Sequence, residues 1–543
     1  MLQNITFTIV QDNFLIGSIE KNFLTIKKHV AHAKDNHSDF IILPELALCG
    51  YPPEDLLFSP DFRTEIESYL LEVTQLAENI TIILGHPLYD EDKLFNAASI
   101  FHNQKCLTSY KKQHLPNYGI FDENRYFTKG NLSSVIKIND INIGLMICED
   151  GWSAKIAEQL KQNQADILIQ INASPFNIEK TRTRIQTVRQ RTKDTKLPFI
   201  SVYNVGAQDE LVFDGGSFVI DNEGQIAWQG PYFKSAIQTI TFYKSKADWL
   251  PTPTNQTYTA HNNDELWFIY EALKAGLKHY VTQNNFSKVI LGLSGGIDSA
   301  LTMTIACDAL GADNVKAIML PTKYNQDIGI KDATSLANKL NVQLETINIQ
   351  HMFDEYLQIL QPHFANQEKD VTEENLQARI RANILMAFAN KFDYLLLNTS
   401  NKSEIATGYT TLYGDMAGGF SVLKDVYKTL IYKLANYRNS IDDVIPERII
   451  TREPSAELKD NQTDQDSLPP YEILDAILKL RIEENLSLPQ IVKQGFDETT
   501  VRKILKLLQQ SEYKRYQAAP GTKITTRSFG KDWRYPLSSG FIV

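Results

Sequence analysis

Short apolar or β-branched runs, bounded by turn residues, recur along the first part of the chain with helix-length stretches between them. They lie at Ile5–Gln11, Asp39–Glu45, Ile80–Leu88, Asn96–His102, Ile141–Cys148, Ala165–Ile171 and Pro198–Asn204, and a hairpin-like segment follows at Ser217–Trp228. Strands that alternate with helices in this way predict a layered α/β domain.

A polar segment then interrupts this pattern. Residues 244–263 contain Pro251, Pro253, threonines and asparagines, and they lack apolar periodicity. Such composition is typical of a connection between domains. The pattern therefore predicts a first domain at residues 1–245, a linker at 246–263 and a second domain at 264–543.

The second half opens with a helical stretch at Glu265–Val281 and continues with further strand-like runs. These runs are Val289–Leu291, Val315–Pro321, Val342–Ile349 and Asp393–Ser400, with helical stretches between them. The alternation predicts a parallel sheet with helices on both faces. In such a sheet the ligand binds at the carboxyl ends of the strands.

The segment KVILGLSGGIDSAL, Lys288–Leu301, predicts a buried strand, a tight turn at Ser294–Gly296 and a helix that begins near Asp298. Adjacent glycines allow the backbone to bring its N–H groups close to a ligand, and the helix start adds the positive end of a dipole. A phosphate is therefore expected there, with a divalent cation between it and Asp298. The structural alternative is an ordinary strand-to-helix turn.

The motif SGGIDS resembles the signature of the ATP-pyrophosphatase superfamily, and it lacks the GxxxxGK[ST] pattern of a P-loop. The resemblance implies cleavage of ATP between its α- and β-phosphates. A carbonyl oxygen becomes adenylated, and a nucleophile then displaces AMP. The rest of the chain should supply the carbonyl substrate and the nucleophile.

Length and composition narrow the class further. The 543 residues exceed one ordinary domain, and 43% hydrophobic with 22% charged residues is typical of a soluble globular protein. A net charge of -10 argues against a nucleic-acid or anionic-membrane partner. The four cysteines have neither CxxC nor Cys/His ligand spacing, so neither a disulfide framework nor a zinc site is indicated. The chain begins without a signal-peptide pattern and has no long apolar run, which predicts a cytoplasmic protein.

Three polar residues fall at or near predicted strand ends in the first domain: Glu45, Lys112 and Cys148. A buried cysteine, a capping glutamate and a solvated lysine are the structural alternatives. Cys148 leaves an apolar strand near a helix start at Gly151, where the dipole lowers the pKa of a thiol. A cysteine nucleophile also needs a base and a fixed cation. Glu45 and Lys112 can serve in those two roles.

The first domain resembles the nitrilase superfamily, an αββα sandwich whose catalytic residues are Glu, Lys and Cys. PEL contains Glu45, YxKxHL contains Lys112 and ICED contains Cys148. The adjacent Lys111 leaves a shift of one residue open. CGYPPEDLL, LPNYGIFDENRYF and NASPF are similar to the glutaminase domains of glutamine-dependent NAD synthetases. The resemblance implies a glutamine site of Tyr118, Glu123, Ser174 and Lys180, in which Glu123 supports Lys112.

The second domain resembles the synthetase part of the same enzymes, a Rossmann-like parallel α/β domain of the adenine-nucleotide α-hydrolase type. The resemblance implies ATP contacts at Gly292, Leu293, Ser294, Gly295, Gly296, Ile297, Asp298, Ser299, Thr399, Lys428 and Ser455. It implies deamido-NAD contacts at Asn375, Arg379, Glu404, Tyr409, Thr410, Thr411, Leu412, Asp415 and Lys523. It assigns magnesium to Asp298 and Glu404. Residues 374–386 also fit a charged helix face, and residues 460–471 fit either a closing loop or a solvated one.

Taken together, the resemblance implies ATP- and Mg²⁺-dependent amidation of deamido-NAD with ammonia from glutamine. Neutral ammonia is the nucleophile, so a sheltered passage between the two sites is implied. The alternatives are another amidotransferase with the same ATP loop, or a nucleotide-binding protein without catalysis. The expected partners are L-glutamine, ATP, deamido-NAD and a second copy of the chain through the synthetase domain, with no nucleic acid and no membrane.

Overall fold

Two units divide the chain, residues 1–263 and 264–543. The computed structural model describes residues 3–132, 135–246, 248–253, 265–325, 327–364, 367–459 and 462–541. None of the helices in those ranges combines the length and the apolar character that a membrane span requires.

The first unit contains fifteen described strands and five described helices. The strands are β1 (Asn4–Gln11), β2 (Phe40–Ile42), β3 (Thr81–Asp90), β4 (Lys93–His102), β5 (Lys105–Lys111), β6 (Val135–Ile138), β7 (Ile141–Ile147), β8 (Ile167–Asn172), β9 (Phe199–Tyr203), β10 (Val205–Gln208), β11 (Leu211–Asp214), β12 (Phe218–Ile220), β13 (Ile226–Gln229), β14 (Ala236–Ser245) and β15 (Asp248–Pro251). The helices are α1 (Ile19–Asp35), α2 (Pro60–Leu76), α3 (Glu123–Tyr126), α4 (Ala154–Gln162) and α5 (Lys180–Thr195).

Two sheets face each other in this unit. One has the strand order β15-β14-β1-β2-β3-β4-β5 and the other β13-β12-β9-β8-β7-β6, while β10 and β11 form a separate hairpin. Phe7 and Phe40 of the first sheet share a buried core with Ile143, Ile169 and Val202 of the second. Helices α1 and α2 cover the outside of the first sheet, and α4 and α5 cover the outside of the second. The predicted αββα sandwich is confirmed.

The second unit is built on five parallel strands: β16 (Val289–Gly292), β17 (Val315–Met319), β18 (Gln343–Thr346), β19 (Leu395–Asn398) and β20 (Phe420–Ser421). Its helices are α6 (Glu265–Gln283), α7 (Ile297–Leu310), α8 (Asp327–Lys339), α9 (Gln350–Leu360), α10 (Val371–Phe392), α11 (Lys402–Thr407), α12 (Lys428–Ile441), α13 (Glu447–Thr451), α14 (Tyr471–Ile482), α15 (Leu488–Val492), α16 (Glu498–Gln510) and α17 (Glu512–Arg515).

In the sheet order β18-β17-β16-β19-β20, the side on which successive strands are added changes at β16. The chain runs from β16 outward to β17 and β18, and then returns to the other side of β16 with β19. Such a reversal opens a crevice at the carboxyl ends of the two adjacent strands, where ligands bind in open α/β sheets. The SGGIDS turn leaves β16 at this point. The predicted parallel α/β architecture is confirmed.

Two predicted loops are more ordered than the sequence pattern indicates. Within the predicted linker, β15 pairs antiparallel with β14, and Trp249 is buried against the first unit. The polar, proline-containing composition of this segment did not predict the short edge strand β15. Residues 254–264 lie outside the described residues. In the loop predicted at 460–471, Asp464 is buried and accepts a hydrogen bond from the Tyr471 hydroxyl at 2.8 Å. Residues 460 and 461 lie outside the described residues.

Candidate active sites

A buried lysine bridges two carboxylates in the first unit. Lys112 Nζ donates to Glu45 Oε1 at 2.7 Å and to Glu123 Oε1 at 2.8 Å. Lys112 follows β5, Glu45 lies just after β2, and Glu123 begins α3. Lys111 instead pairs at the surface with Asp90, at 2.7 Å. The register that places Lys112 in the cluster is therefore the one that the structure adopts.

Both carboxylate oxygens of Glu45, and Oε1 of Glu123, accept further hydrogen bonds. Asn96 Nδ2 donates to Glu45 Oε1 at 2.7 Å, and the Ala173 backbone N–H donates to Oε2 at 2.8 Å. The Tyr51 hydroxyl donates to Glu123 Oε1 at 2.9 Å. These three donors come from separate segments of the chain, so the carboxylates are fixed by the fold and not by local sequence.

The charges of this cluster depend on one another. Burial disfavours the charged form of Lys112, but Glu123 and Glu45 outweigh it and hold the pKa of Lys112 well above its usual range. Burial raises the pKa of Glu123 to about 7, although Lys112 opposes that shift. The site therefore combines a persistent cation with a buried carboxyl group, Glu123, whose proton affinity is increased by burial.

Cys148 lies at the end of β7 and begins a 3₁₀ turn, Cys148–Trp152. Its φ of 45° is in the left-handed region, which is unusual for a residue with a side chain. Gln170 Nε2 donates to the Cys148 carbonyl oxygen at 2.6 Å and fixes this backbone. Glu45 and Lys112 are close enough for their charges to act on the thiol. The structure thus brings the three predicted catalytic residues together.

The prediction that a helix start lowers the pKa of the Cys148 thiol is wrong. Burial raises that pKa well above its usual value, the Glu45 carboxylate raises it further, and Lys112 only partly opposes them. A five-residue 3₁₀ turn takes the place of the predicted helix start. The thiol therefore needs a neighbouring base to remove its proton.

Asp150 connects the cysteine turn to the lysine segment and was missed by sequence reasoning. Its Oδ1 accepts from the backbone N–H groups of Gln113 and His114, at 3.1 and 2.8 Å. Its Oδ2 accepts from the Tyr110 hydroxyl at 2.8 Å. Asp150 is fully buried. An acidic residue two positions after a candidate nucleophile, at the end of an apolar strand, was the available signal.

Two of the residues predicted to hold glutamine, Lys180 and Tyr118, contact the Phe121 ring. Lys180 Nζ lies 5.0 Å from the centre of the Phe121 ring, and the Tyr118 ring packs edge-on against Phe121 at 5.5 Å. The Tyr118 hydroxyl donates to Glu149, the residue after Cys148, at 3.1 Å. Ser174 follows Ala173, whose N–H holds Glu45. Tyr118, Lys180 and Ser174 therefore all connect to the cysteine site.

An ion pair that the sequence did not reveal supports the backbone at Ser174, one of the predicted glutamine contacts. Arg184 Nη1 lies 2.6 Å from Asp214 Oδ1, and both side chains are buried. Arg184 Nη2 also donates to the carbonyl oxygens of Ser174 and Pro175, at 2.7 and 3.1 Å. No local pattern links α5 to β11, so only the folded chain shows that Arg184 fixes the Ser174 backbone.

In the second unit the SGGIDS turn has the backbone that its glycines predict. Gly295 has a φ of +81°, and a Cβ there would come within 2.6 Å of the Gly329 carbonyl oxygen. Ser299 Oγ accepts from the Ser294 N–H at 3.2 Å and donates to the Gly296 carbonyl oxygen at 3.1 Å. The turn is thereby held open at the N-terminal end of α7.

A cavity of ≈ 290 Å³ lies at this turn, at the carboxyl ends of the central strands. Ten of the predicted ATP contacts line it: Gly292, Leu293, Ser294, Gly296, Ile297, Asp298, Ser299, Thr399, Lys428 and Ser455. Glu404, Tyr409 and Asp415, predicted to contact deamido-NAD, line it too. Among its other lining residues are Arg381 and Arg452, which sequence reasoning did not select.

The two carboxylates predicted to bind magnesium meet at Lys428. Lys428 Nζ lies 2.5 Å from Asp298 Oδ2 and 3.5 Å from Glu404 Oε1. Asn401 Nδ2 donates to Asp298 Oδ1 at 2.9 Å, and Asn401 is also the N-cap of α11, the helix that carries Glu404. Burial raises the pKa of Glu404 to about 8, and the charge of Asp298 adds to that shift. In the described ranges no cluster of three or more His, Cys, Asp or Glu side chains forms a metal cage.

Most of the other residues predicted to contact deamido-NAD lie around residues 408–415. Thr411 Oγ1 donates to Asn375 Oδ1 at 2.7 Å, and Arg379 Nε donates to the Leu412 carbonyl oxygen at 3.1 Å. The Thr411 N–H donates to Asp415 at 2.7 Å. Arg379 and Leu412 line a second cavity, of ≈ 570 Å³. Thr410, the remaining member of this predicted run, is buried beside them.

Lys523 is not brought to either cavity. Its Nζ donates to the carbonyl oxygens of Thr525 and Thr526, at 3.0 and 3.1 Å, and pairs with buried Asp532. Lys514 instead contacts the predicted dinucleotide segment, because its Nζ donates to the carbonyl oxygens of Gly408 and Thr410, at 2.7 and 2.6 Å. The sequence resemblance selected Lys523 for the dinucleotide site, and it did not select Lys514.

Comparison with known protein families accounts for both units. The carbon-nitrogen hydrolase family matches residues 8–246, and the NAD synthase family matches residues 269–518. The glutamine-dependent NAD(+) synthetase of Acinetobacter baylyi is 42% identical over 528 residues, 97% of each chain. That of Aquifex aeolicus is 43% identical over 567 residues, 99% of this chain and 100% of the relative.

Solved structures agree with these matches. A glutamine-dependent NAD+ synthetase from Acinetobacter baumannii, in complex with ADP, has a TM-score of 0.80 and 40% sequence identity over 98% of each chain. One from Cytophaga hutchinsonii has a TM-score of 0.85 at 21% identity, over 99% of this chain and 98% of the other, and it supports the fold.

A carbon-nitrogen hydrolase unit followed by a parallel-sheet synthase unit defines a ligase that takes its nitrogen from an amide. The chain belongs to the glutamine-dependent NAD(+) synthetases. The family, the fold class and the ligase activity expected from the sequence are confirmed.

Proposed function

We propose that Cys148, Glu45 and Lys112 release ammonia from L-glutamine, and that the cavity at the SGGIDS turn uses it to convert deamido-NAD to NAD with ATP. The observation that carries this proposal is the buried Glu45–Lys112–Glu123 cluster beside Cys148. Such a cluster supplies a base, a cation and a nucleophile within one pocket.

In the first half-reaction, Glu45 takes the proton of the Cys148 thiol, and the thiolate attacks the amide carbon of glutamine. A carbon–sulfur bond forms, the carbon–nitrogen bond breaks, and Glu45 returns the proton to the departing ammonia. Lys112 stabilises the negative charge on the amide oxygen. Water then cleaves the thioester and gives glutamate. Tyr118, Ser174 and Lys180 hold the substrate, and Glu123 keeps Lys112 in place.

In the second half-reaction, a carboxylate oxygen of deamido-NAD attacks the α-phosphorus of ATP, and pyrophosphate leaves. Ammonia then attacks the activated carbonyl carbon and loses one proton to solvent, and AMP leaves with the electron pair of the broken carbon–oxygen bond. The cavity at the SGGIDS turn is the proposed ATP site, and the bound ADP of the Acinetobacter baumannii relative supports nucleotide binding in this family. Residues 408–415 are the proposed contacts for deamido-NAD.

The residues present fit a magnesium requirement. Acidic side chains outnumber basic ones around the cavity: Asp298, Glu404, Asp415, Glu453, Glu457 and Asp464 against Arg381, Lys428 and Arg452. A triphosphate would add negative charge to a site that already holds more carboxyl groups than cations, which favours its binding together with a divalent cation. Asp298 and Glu404 would hold magnesium, because this ion is usually bound by one or two carboxylates together with substrate phosphates. When bound, magnesium neutralises phosphate charge and stabilises the leaving pyrophosphate.

A product assay tests the proposed function. With ATP, magnesium, deamido-NAD and glutamine, the protein should form NAD, AMP, pyrophosphate and glutamate in equal amounts. Omission of deamido-NAD should stop AMP formation, and ammonium should replace glutamine. Release of ADP in place of AMP, or AMP formation that is independent of deamido-NAD, would contradict the proposed second half-reaction.

The proposed assembly is a homo-oligomer through the second unit. Exposed apolar or aromatic side chains lie on α9, at Met352, Tyr356 and Ile359, and within residues 408–415, at Tyr413. Sedimentation analysis should show at least a dimer, and Ile359→Glu should shift it toward the monomer. A wild-type protein that sediments as a monomer at assay concentration would contradict this assembly.

A further inference from the structure

Arg452 lies against the SGGIDS turn although it is far from it in sequence. It follows α13, and its Nη2 donates to the Gly295 carbonyl oxygen at 2.9 Å. Its Nη1 lies 3.4 Å from Glu457 Oε1, an ion pair that leaves Nη1 buried and without a hydrogen-bond acceptor in the described part of the chain. Arg452 also lines the cavity at the turn. Its guanidinium therefore has unused donors beside the expected phosphates.

The other cations that line the described cavity are already engaged. Lys428 Nζ pairs with Asp298 and Glu404. Arg381 donates from Nε to the Leu320 carbonyl oxygen at 3.0 Å and from Nη2 to Asn325 at 3.2 Å. A guanidinium presents donors in a planar fork that matches the oxygens of a phosphate. Arg452 combines that geometry with a direct contact to the turn.

We propose that Arg452 binds the phosphates of ATP and of the pyrophosphate product. This inference rests on the proposed function of the cavity. In the adenylation step, a bond forms between the deamido-NAD carboxylate and the α-phosphorus, and the bond from that phosphorus to the bridging oxygen breaks. The electron pair leaves on pyrophosphate, and Arg452 stabilises the charge that grows there.

The structural alternative is that Arg452 only holds Gly295 in place. The two roles differ in what a substitution changes. A phosphate ligand affects ATP and pyrophosphate selectively, whereas a backbone support distorts the whole turn. Distortion of the turn would lower the melting temperature and would weaken the binding of ATP and of deamido-NAD together.

The variants Arg452→Gln and Arg452→Lys test the inference, with Arg448→Gln as the matched control. Arg448 also lies in this region, pairs with Asp332 and is not among the residues that line the cavity. Arg452→Gln should raise the KM for ATP and the inhibition constant of inorganic pyrophosphate, each by roughly tenfold to a hundredfold. The KM for deamido-NAD should stay within about twofold. Arg452→Lys keeps the charge without the fork and should be intermediate. Arg448→Gln removes the partner of buried Asp332 and should lower stability, but it should leave all three constants at their wild-type values.

Two outcomes would overturn the inference: unchanged ATP and pyrophosphate constants in Arg452→Gln, or equal losses for both substrates together with a lower melting temperature. Failure of the proposed function itself is recognised separately. In that case the wild-type protein would release no pyrophosphate from ATP when deamido-NAD is supplied.

Discussion

Lys112 Nζ lies 2.7 Å from Glu45 Oε1, and both side chains are buried. An ion pair in that position costs desolvation energy, so it adds little to stability compared with apolar residues of the same size. The pair instead serves the proposed reaction, because it fixes a cation and a base beside Cys148. The neighbouring Lys111 has no access to this pocket and pairs with Asp90 at the surface.

Lys112→Ala should nearly eliminate glutaminase turnover, because the oxyanion loses its stabilising cation. Loss of such a group typically lowers the rate on the order of 10²–10³-fold. Lys111→Ala should cost little. Glutamine hydrolysis is the measurement, and NAD synthesis with ammonium checks that the second unit of each variant is intact. Equal losses in the two variants, or the opposite ranking, would remove Lys112 from its proposed role.

Asp298→Ala should abolish NAD synthesis with either nitrogen donor. Metal neutralisation of phosphate charge contributes several kcal/mol to such steps, so a loss of roughly a thousandfold or more is expected. Asp308→Asn is the control, because Asp308 lies on the same helix and pairs with Arg438. Near-wild-type synthesis in Asp298→Ala would show that the magnesium site lies elsewhere.

Substitution of Lys514 should weaken the binding of deamido-NAD, whereas substitution of Lys523 should lower the stability of the fold. Lys514→Met removes donors to the Gly408 and Thr410 carbonyl oxygens and should raise the KM for deamido-NAD by roughly tenfold. Lys523→Met leaves Asp532 buried without its cation and should lower stability by about 3–5 kcal/mol. Steady-state kinetics and denaturant unfolding measure the two effects. A KM change in Lys523→Met alone would restore the role that its sequence position suggests.

Buried His86 makes stability depend on pH. Its ring nitrogens contact Ser99 Oγ at 2.6 Å and the Pro87 carbonyl oxygen at 2.8 Å, and burial lowers the pKa of His86 to about 4. The unfolded chain takes up this proton near its ordinary pKa of about 6.5. His86 therefore does not reduce the free energy of unfolding above pH 6.5. As the pH falls from 6.5 toward 4, the unfolded chain binds this proton and the folded chain does not, so the free energy of unfolding decreases by up to about 3 kcal/mol.

Denaturant unfolding of wild type, His86→Gln and His32→Gln, at pH 7.5 and 4.5, isolates this contribution. His32 is an exposed residue of α1 and serves as the control. The decrease in unfolding free energy toward low pH should be smaller in His86→Gln than in the other two proteins. The same decrease in all three would assign it to other groups.

Local sequence predicts those parts of the molecule that local physics determines. The alternation of strands and helices predicted a layered α/β first domain and a parallel sheet in the second, while the αββα sandwich was implied by the family resemblance. The glycines of SGGIDS predicted the turn, because Gly295 requires a positive φ. Lys111 ends β5 and Lys112 directly follows it, and successive residues of an extended chain point to opposite sides, which explains why the two lysines have different environments.

Contacts between distant segments were beyond the sequence pattern. Asp150 holds the Gln113 and His114 backbone, and Arg184 holds the Ser174 carbonyl oxygen, but neither residue carries a local signal of its partner. The left-handed backbone of Cys148 and the raised pKa of its thiol also arise from surrounding packing. A dipole argument from one segment failed there because burial is a property of the whole fold.

Cys148→Ala tests most directly whether the first unit supplies nitrogen to the second. The variant loses only a sulfur atom at the end of β7, so the fold should survive at a cost of about 1–3 kcal/mol. NAD formation is measured for wild type and variant with glutamine and with ammonium at mildly alkaline pH. The account predicts that Cys148→Ala makes no NAD from glutamine and makes NAD from ammonium at the wild-type rate. Persistent glutamine-dependent synthesis in the variant would contradict it.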